Sequence, residues 1–220
     1  MGTATPLGGT LHFLSTPQYI RPFIRLKIIA DTFYGSKKRH GHCIKCLSDV
    51  LRDFMNEINT ANVVKGAVAG LIGGLIASFV MEKFQMLIQP MMQSEGDEKA
   101  NEEEPSTEKA ASAISENVFD HYLTEEEKPV AGEAVHYAMG GTSGMIFGAV
   151  SEIVPEASAA AGLPFGTAVW LIADDAVVPA LGLSKPVSDR PLSEHAYALS
   201  SHLVYGLATD VVRRGIRHLW

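Results

Sequence analysis

Two aspartates, Asp174 and Asp175, stand side by side inside the apolar run "FGTAVWLIADDAVVPALGL". Carboxylates kept from water exchange protons closer to neutrality than exposed ones do, and imidazoles titrate there by default, so residues of these two types brought together could move protons. The residues that could join the pair are His136, His195 and His202, with the hydroxyls of Ser200, Ser201 and Tyr205. Neighbours on a helix point about 100° apart, so the two carboxylates need different partners. A carboxylate near the centre of a bilayer costs about 2.5–3.5 kcal/mol on insertion scales, and an unpaired charge in a soluble core is equally unwelcome. At least one of the two therefore faces the inside of a bundle or a wet cavity.

Two other patterns carry chemical residue types. "KKRHGHCIKC" offers His40, His42, Cys43 and Cys46 to a zinc ion, but a single Cys-x-x-Cys without a second spaced pair does not define a metal site. "EAVH", from Glu133 to His136, has the Glu-x-x-His spacing of a di-iron bundle, which needs two copies and two further glutamates, and the chain holds one copy. No Ser-His-Asp arrangement, nucleophile elbow or phosphate-binding loop is present. The expectation is a protein that is not an enzyme and has no metal or cofactor.

The elements that must position these residues are four apolar segments, residues 63–88, 134–154, 163–183 and 195–212. At about 1.5 Å per residue each can cross a hydrocarbon core of roughly 30 Å, the last one marginally. Segments 2 and 4 carry His136, Glu152, His195, His202 and Asp210, so they belong inside a bundle rather than against lipid. Gly66, Gly70 and Gly74 recur every four residues in segment 1, as do Gly140, Gly144 and Gly148 in segment 2. Such stripes let helix backbones approach closely in lipid, where large apolar side chains gain little by meeting one another. They also offer a surface for homo-oligomers.

Acids end these series: Glu82 in segment 1, Glu152 in segment 2, and Asp210 in segment 4, which has Arg213 and Arg214 at ion-pairing distance along a helix. "GMIFGAVSEIV" (144–154) lies over "HLVYGLATDVV" (202–212) as an internal echo, pairing Phe147 with Tyr205, Gly148 with Gly206, Ser151 with Thr209 and Glu152 with Asp210. The short connection from Gly182 to Glu194 folds segment 4 back antiparallel on segment 3, which puts Asp174 and Asp175 opposite Ser200, Ser201, His202 and Tyr205. A hydrogen bond from one aspartate to His202 or a neighbouring hydroxyl is the expected result.

The composition divides along the same lines. A hydrophobic share of 46% and a net charge of −7 are averages over unlike blocks. Residues 1–62 carry eight Lys/Arg against four acids, and residues 95–128 carry twelve acids against three lysines. The chain therefore reads as a basic N-terminal extension (1–54), a first transmembrane helix with its flanks (55–94), an acidic linker (95–130) with a short surface helix near residues 110–122, and three further helices (131–220). Met1 is not followed by a secretory signal pattern. Nucleic acid is not an expected partner; the lipid bilayer is.

From about Val64 onward the chain resembles the YagU-like family of bacterial inner-membrane proteins, through "KGAVAGLIGGLIASFVMEKFQ", "AVHYAMGGTSGMIFGAVSE", "AGLPFGTAVWLIADDAVVPALGL" and "PLSEHAYALSSHLVYGLATDVVRR", in that order. The resemblance implies a helical, multi-pass protein of the bacterial inner membrane, and carries over no catalytic residue. Residues 1–54 fall outside it and read as an upstream extension from a misplaced start.

The fold expected is thus all-α, a polytopic membrane bundle of about four closely packed, glycine-rich helices, structural or stress-related in function. One alternative makes the intramembrane Asp and His residues a proton or ion pathway. Another is a soluble helical binding protein for an apolar ligand.

Overall fold

A computed structural model describes residues 59–92 and 104–220. The basic extension and the zinc-type motif at His40, His42, Cys43 and Cys46 lie outside the described residues. Among those described, all regular structure is helical: α1 (Thr60–Met92), α2 (Ser106–Phe119), α3 (Lys128–Ile153), a composite α4 (163–180) and α5 (Leu192–His218). Two stretches are long and apolar enough to cross a membrane, Thr60–Pro90 with mean hydropathy 2.0 and Pro155–Ala180 with 1.3.

The glycine stripes fix the register of α1 on α3. A Cβ on Gly70 would strike the carbonyl of Gly144, one on Gly74 that of Gly140, and one on Gly148 that of Gly66. Backbone lies against backbone, and the two helices run antiparallel. α5 packs on another side of α1, also antiparallel: a Cβ on Gly73 would stand 2.8 Å from the Thr209 carbonyl oxygen, and Ala77 and Met81 meet Tyr205 with Phe165, Val169 and Ala208 around them. α4 returns antiparallel along α5, where Gly162 and Gly166 lie against the backbone of Gly206 and His202.

The internal echo acquires a structural meaning here. Ser151 donates to the Phe147 carbonyl at 2.8 Å, and Thr209 donates to the Tyr205 carbonyl at 2.8 Å, so the paired positions make the same bond one helical turn back. Gly148 seats α3 against α1 as Gly206 seats α5 against α4. The chain thus contains two antiparallel helical hairpins that use equivalent residues for equivalent contacts.

Local chemistry sets the helix boundaries. The turn that leads into α3 is held by Thr124, whose N–H (2.8 Å) and hydroxyl (2.9 Å) both donate to the Glu127 carboxylate. Those two donors, the N–H foremost, hold the Glu127 carboxyl below its ordinary pKa. α3 ends before Pro155, and the alanine-rich stretch 155–162 that follows does not continue it as an α-helix. Ala160 (φ 48°), Ala161 (φ 54°) and Gly162 (φ 79°) are all left-handed, a conformation in which only glycine carries no steric penalty. The reversal directs α4 back along α5.

The acidic linker of the sequence reading is helical in part, since α2 occupies Ser106–Phe119, starting four residues earlier than expected. Its N-terminal half rests on the first turns of α3, with Glu108 under Gly132 and Glu104 3.3 Å from Lys128.

Candidate functional site in the fourth helix

α4 is not a regular α-helix. Its first part, Leu163–Val169, passes into a π-helical stretch, Trp170–Val177, which carries both aspartates and closes with Val178–Ala180. At the end of the π stretch the Val178 N–H reaches back to the Ala173 carbonyl. The next donor in line would be residue 179, a proline with no N–H, so the Asp174 carbonyl has no intrahelical partner. Arg190, from the connector before α5, donates to that carbonyl at 3.2 Å and with the same terminal nitrogen to the Asp175 carboxylate at 2.6 Å. One guanidinium thus satisfies the backbone defect and neutralises the neighbouring charge.

Two imidazoles complete the cluster. His195 Nε2 lies 3.2 Å from the Val187 carbonyl, which can only accept, so that nitrogen carries the proton in the neutral ring. Its Nδ1, 3.7 Å from the Asp175 carboxylate, is then a lone pair facing a negative charge, and becomes a donor to it only when the ring is protonated. His202 Nδ1 donates to the Ala198 carbonyl at 2.9 Å and stands 3.7 Å from Asp174. The Trp170 ring meets His195 edge-on at 6.4 Å, and its Nε1 has no hydrogen-bond partner among the described residues.

Four of the eight polar residues singled out from sequence therefore converge: Asp174, Asp175, His195 and His202. The other four are engaged elsewhere. Tyr205 donates to the Gly140 carbonyl at 2.6 Å, tying α5 to α3, and His136 Nε2 lies 3.5 Å from the Ser78 carbonyl. The hydroxyls expected opposite the aspartates are engaged within their own helix, Ser200 and Ser201 both donating to the Tyr197 carbonyl at 2.8 and 2.9 Å. Of the expected partners, His202 or a hydroxyl, only His202 stands by an aspartate, at 3.7 Å from Asp174, while Asp175 pairs with Arg190. Arg190 was not among the candidates: in an ordinary α-helix Pro179 would free the carbonyl of residue 175, and only the π winding moves that vacancy to Asp174, so the sequence carries no signal for the contact.

A second charged group closes the opposite end of the bundle. Asp210 is fully buried and accepts from Arg213 at 2.9 Å and Arg214 at 2.7 Å, the pairing its spacing implied. Both guanidiniums also donate to the Ser158 hydroxyl at 2.9 Å. Glu152 takes Arg217 through both oxygens, at 2.8 and 3.0 Å, with Arg213 at 3.7 Å. This carboxylate raises the pKa of the Arg217 guanidinium further. The network pins the C-terminal ends of α3 and α5 and the turn into α4 to one another, and every carboxylate in it is matched. It is a structural clamp. Among the described residues no group of three or more His, Cys, Asp or Glu is placed to hold a metal, and Glu133 to His136 contributes none.

Among the described residues, fold and site define an all-helical arrangement with two helices long and apolar enough to cross a membrane and two clusters of paired charges within the bundle. The chain belongs to DUF1440, a family described as protein of unknown function, whose model matches residues 97–211, just over half of the chain. The match runs from the acidic linker to near the end of α5 and leaves α1 outside. No curated protein and no solved structure matches the chain.

Proposed function

We propose that this chain is a YagU-like, multi-pass protein of the bacterial inner membrane, in which α1, α3, α4 and α5 all cross the bilayer, and that its role is structural or stress-related rather than catalytic. The observation that carries the reading is the inversion of ordinary packing. The buried hydrophobic residues among those described are Ala69, Ala77, Met81, Ala111, Phe147 and Tyr205, three of them alanines, while Ile72, Leu75, Ile76, Phe79 and Val80 of α1 are exposed. In water such a face would be an aggregation liability, whereas in lipid it is solvated and small residues belong at the helix contacts. The less apolar α3 and α5 carry their charges at helix ends or in pairs, which supports their crossing within the bundle. Alkaline extraction of membranes from cells making the full chain tests this. The chain is expected in the pellet; release into the supernatant would sink the reading and favour the soluble binder of an apolar ligand.

A second reading, a proton pathway, is favoured by one feature of the α4 cluster, the unprotonated Nδ1 of His195 facing Asp175. Arg190 donates to the Asp175 carboxylate at 2.6 Å, His195 Nδ1 stands 3.7 Å from the same carboxylate and His202 Nδ1 3.7 Å from Asp174, so a proton passed between these groups would have a short path. Proton uptake by proteoliposomes, abolished by Asp175→Asn, is the result this reading requires; vesicles no leakier than lipid alone would dismiss it.

A further inference from the structure

The four-helix description leaves α2 unused, and α2 keeps an apolar flank that the bundle does not cover. Ala111 and Ser115 are its buried positions, facing α3. At about 100° per residue, Ile114 and Val118 fall beside that face and Phe119 on its far edge, while Ala113, Glu116 and Asn117 point elsewhere. Val118 is 68% exposed, Phe119 72% and Tyr122, just past the helix, 72%. An amphipathic face has formed, and α3 occupies only part of it.

The register of α1 on α3 gives the level at which this flank lies. Ser78 stands against Gly140, Gly74 against Gly144 and Gly70 against Gly148, four residues up for four residues down. Two more steps bring Gly132, the residue over Glu108 of α2, level with Met86 of α1. The candidate span of α1 ends at Pro90, one helical turn further on. The first turn of α2 is therefore tied to the level at which the apolar span of α1 ends, and at that level Met86 and Leu87 are exposed as well. Tyrosine is enriched where hydrocarbon gives way to headgroups and phenylalanine in the apolar faces of interfacial helices, and Tyr122 and Phe119 are both exposed.

Resting on the membrane placement above, we propose that α2 is an interfacial helix that seats Ile114, Val118, Phe119 and Tyr122 in the headgroup region of the lipid bilayer. The occupant of the uncovered flank is lipid, because the helix that carries it is tied by its first turn, at Glu108, to the end of the apolar span, where Met86 and Leu87 are exposed as well.

The test is spin-label accessibility in the full chain, with Cys43 and Cys46 changed to Ser and single cysteines introduced as Ala113→Cys, Ile114→Cys, Asn117→Cys, Val118→Cys and Phe119→Cys. Ile76→Cys on α1 serves as the reference for hydrocarbon. In vesicles of phosphatidylethanolamine and phosphatidylglycerol, positions 114, 118 and 119 are expected to favour oxygen over a water-soluble nickel chelate, at a shallow depth of about 5–10 Å, whereas 113 and 117 favour nickel. Equal nickel access at all five α2 positions, with Ile76→Cys still deep, would overturn the proposal and leave the membrane reading intact. Nickel access at Ile76→Cys too would bring down the membrane reading and the proposal with it. Labels at 114, 118 and 119 that are shielded from both reagents and broadened by one another, with the broadening removed by dilution into unlabelled protein, would assign the flank to a second copy of the chain and so also overturn it.

Discussion

Gly144→Leu and Gly70→Leu should each cost the bundle about 3 kcal/mol or more, beyond the usual overpacking range, because the new side chain meets a main-chain carbonyl rather than a side chain that can move. Gly144→Ala already places a Cβ 2.8 Å from the Gly74 Cα, so it should destabilise in the same direction by less. Gly215 in α5 provides the opposite sign. A Cβ there meets nothing within 4 Å, and Gly215→Ala should stabilise by about 0.5–1 kcal/mol through helix propensity alone. Thermal unfolding in detergent measures all four. If Gly144→Leu matched the parent, the close backbone approach of α1 and α3 would be misassigned.

Asp210→Ala should be the costliest single truncation of a polar group, about 3–5 kcal/mol, because it leaves Arg213, itself nearly buried, without its nearest carboxylate. The penalty belongs to the orphaned charge more than to the lost bond. Asp210→Ala combined with Arg213→Met should therefore recover part of the stability, which additive losses would not allow. Arg214, half-exposed, can turn to solvent and should matter much less.

The two charged clusters differ in how far sequence could reveal them. Asp210, Arg213 and Arg214 lie within one helix, and their spacing alone gave the pairing, since a helix converts sequence distance into spatial distance directly. The glycine series was legible for the same reason. Which surface each stripe would meet was not, since it could equally have faced a second copy of the chain; the backbone contacts of Gly70 and Gly74 with Gly140 and Gly144 decide it. Arg190 was not legible, since it sits in a connector whose path depends on where α4 ends, and α4 ends where the π stretch and Pro179 place it. Hydropathy reads residues 163–183 as one continuous segment and is blind to the change of winding at Trp170. The stretch 155–162 falls between two of the apolar segments, and there the sequence spacing and the structure agree: although its alanines favour helix, Pro155, the capture of Ser158 by two arginines and the left-handed Gly162 make it a reversal. α2 was displaced by four residues because its polar first turn looks like the linker that precedes it.

The alternating directions of α1, α3, α4 and α5 give the membrane reading its sharpest consequence, which concerns sidedness. On that reading Arg213, Arg214 and Arg217 lie at the same end of the bundle as the start of α1, which basic residues precede in the sequence, and the acidic linker follows the other end of α1, so the positive-inside rule expects both termini in the cytoplasm. Labelling with a membrane-impermeant maleimide measures this directly, using the native Cys43 and Cys46 for one terminus and, in a chain with both changed to Ser, Leu219→Cys for the other and Ser94→Cys for the linker. In intact spheroplasts the linker cysteine should react at once, and the cysteines at both termini only after the membrane is permeabilised. Labelling of the two termini from opposite sides would mean an odd number of crossings and contradict the four-helix bundle, with α5 the first helix to lose its place in the bilayer.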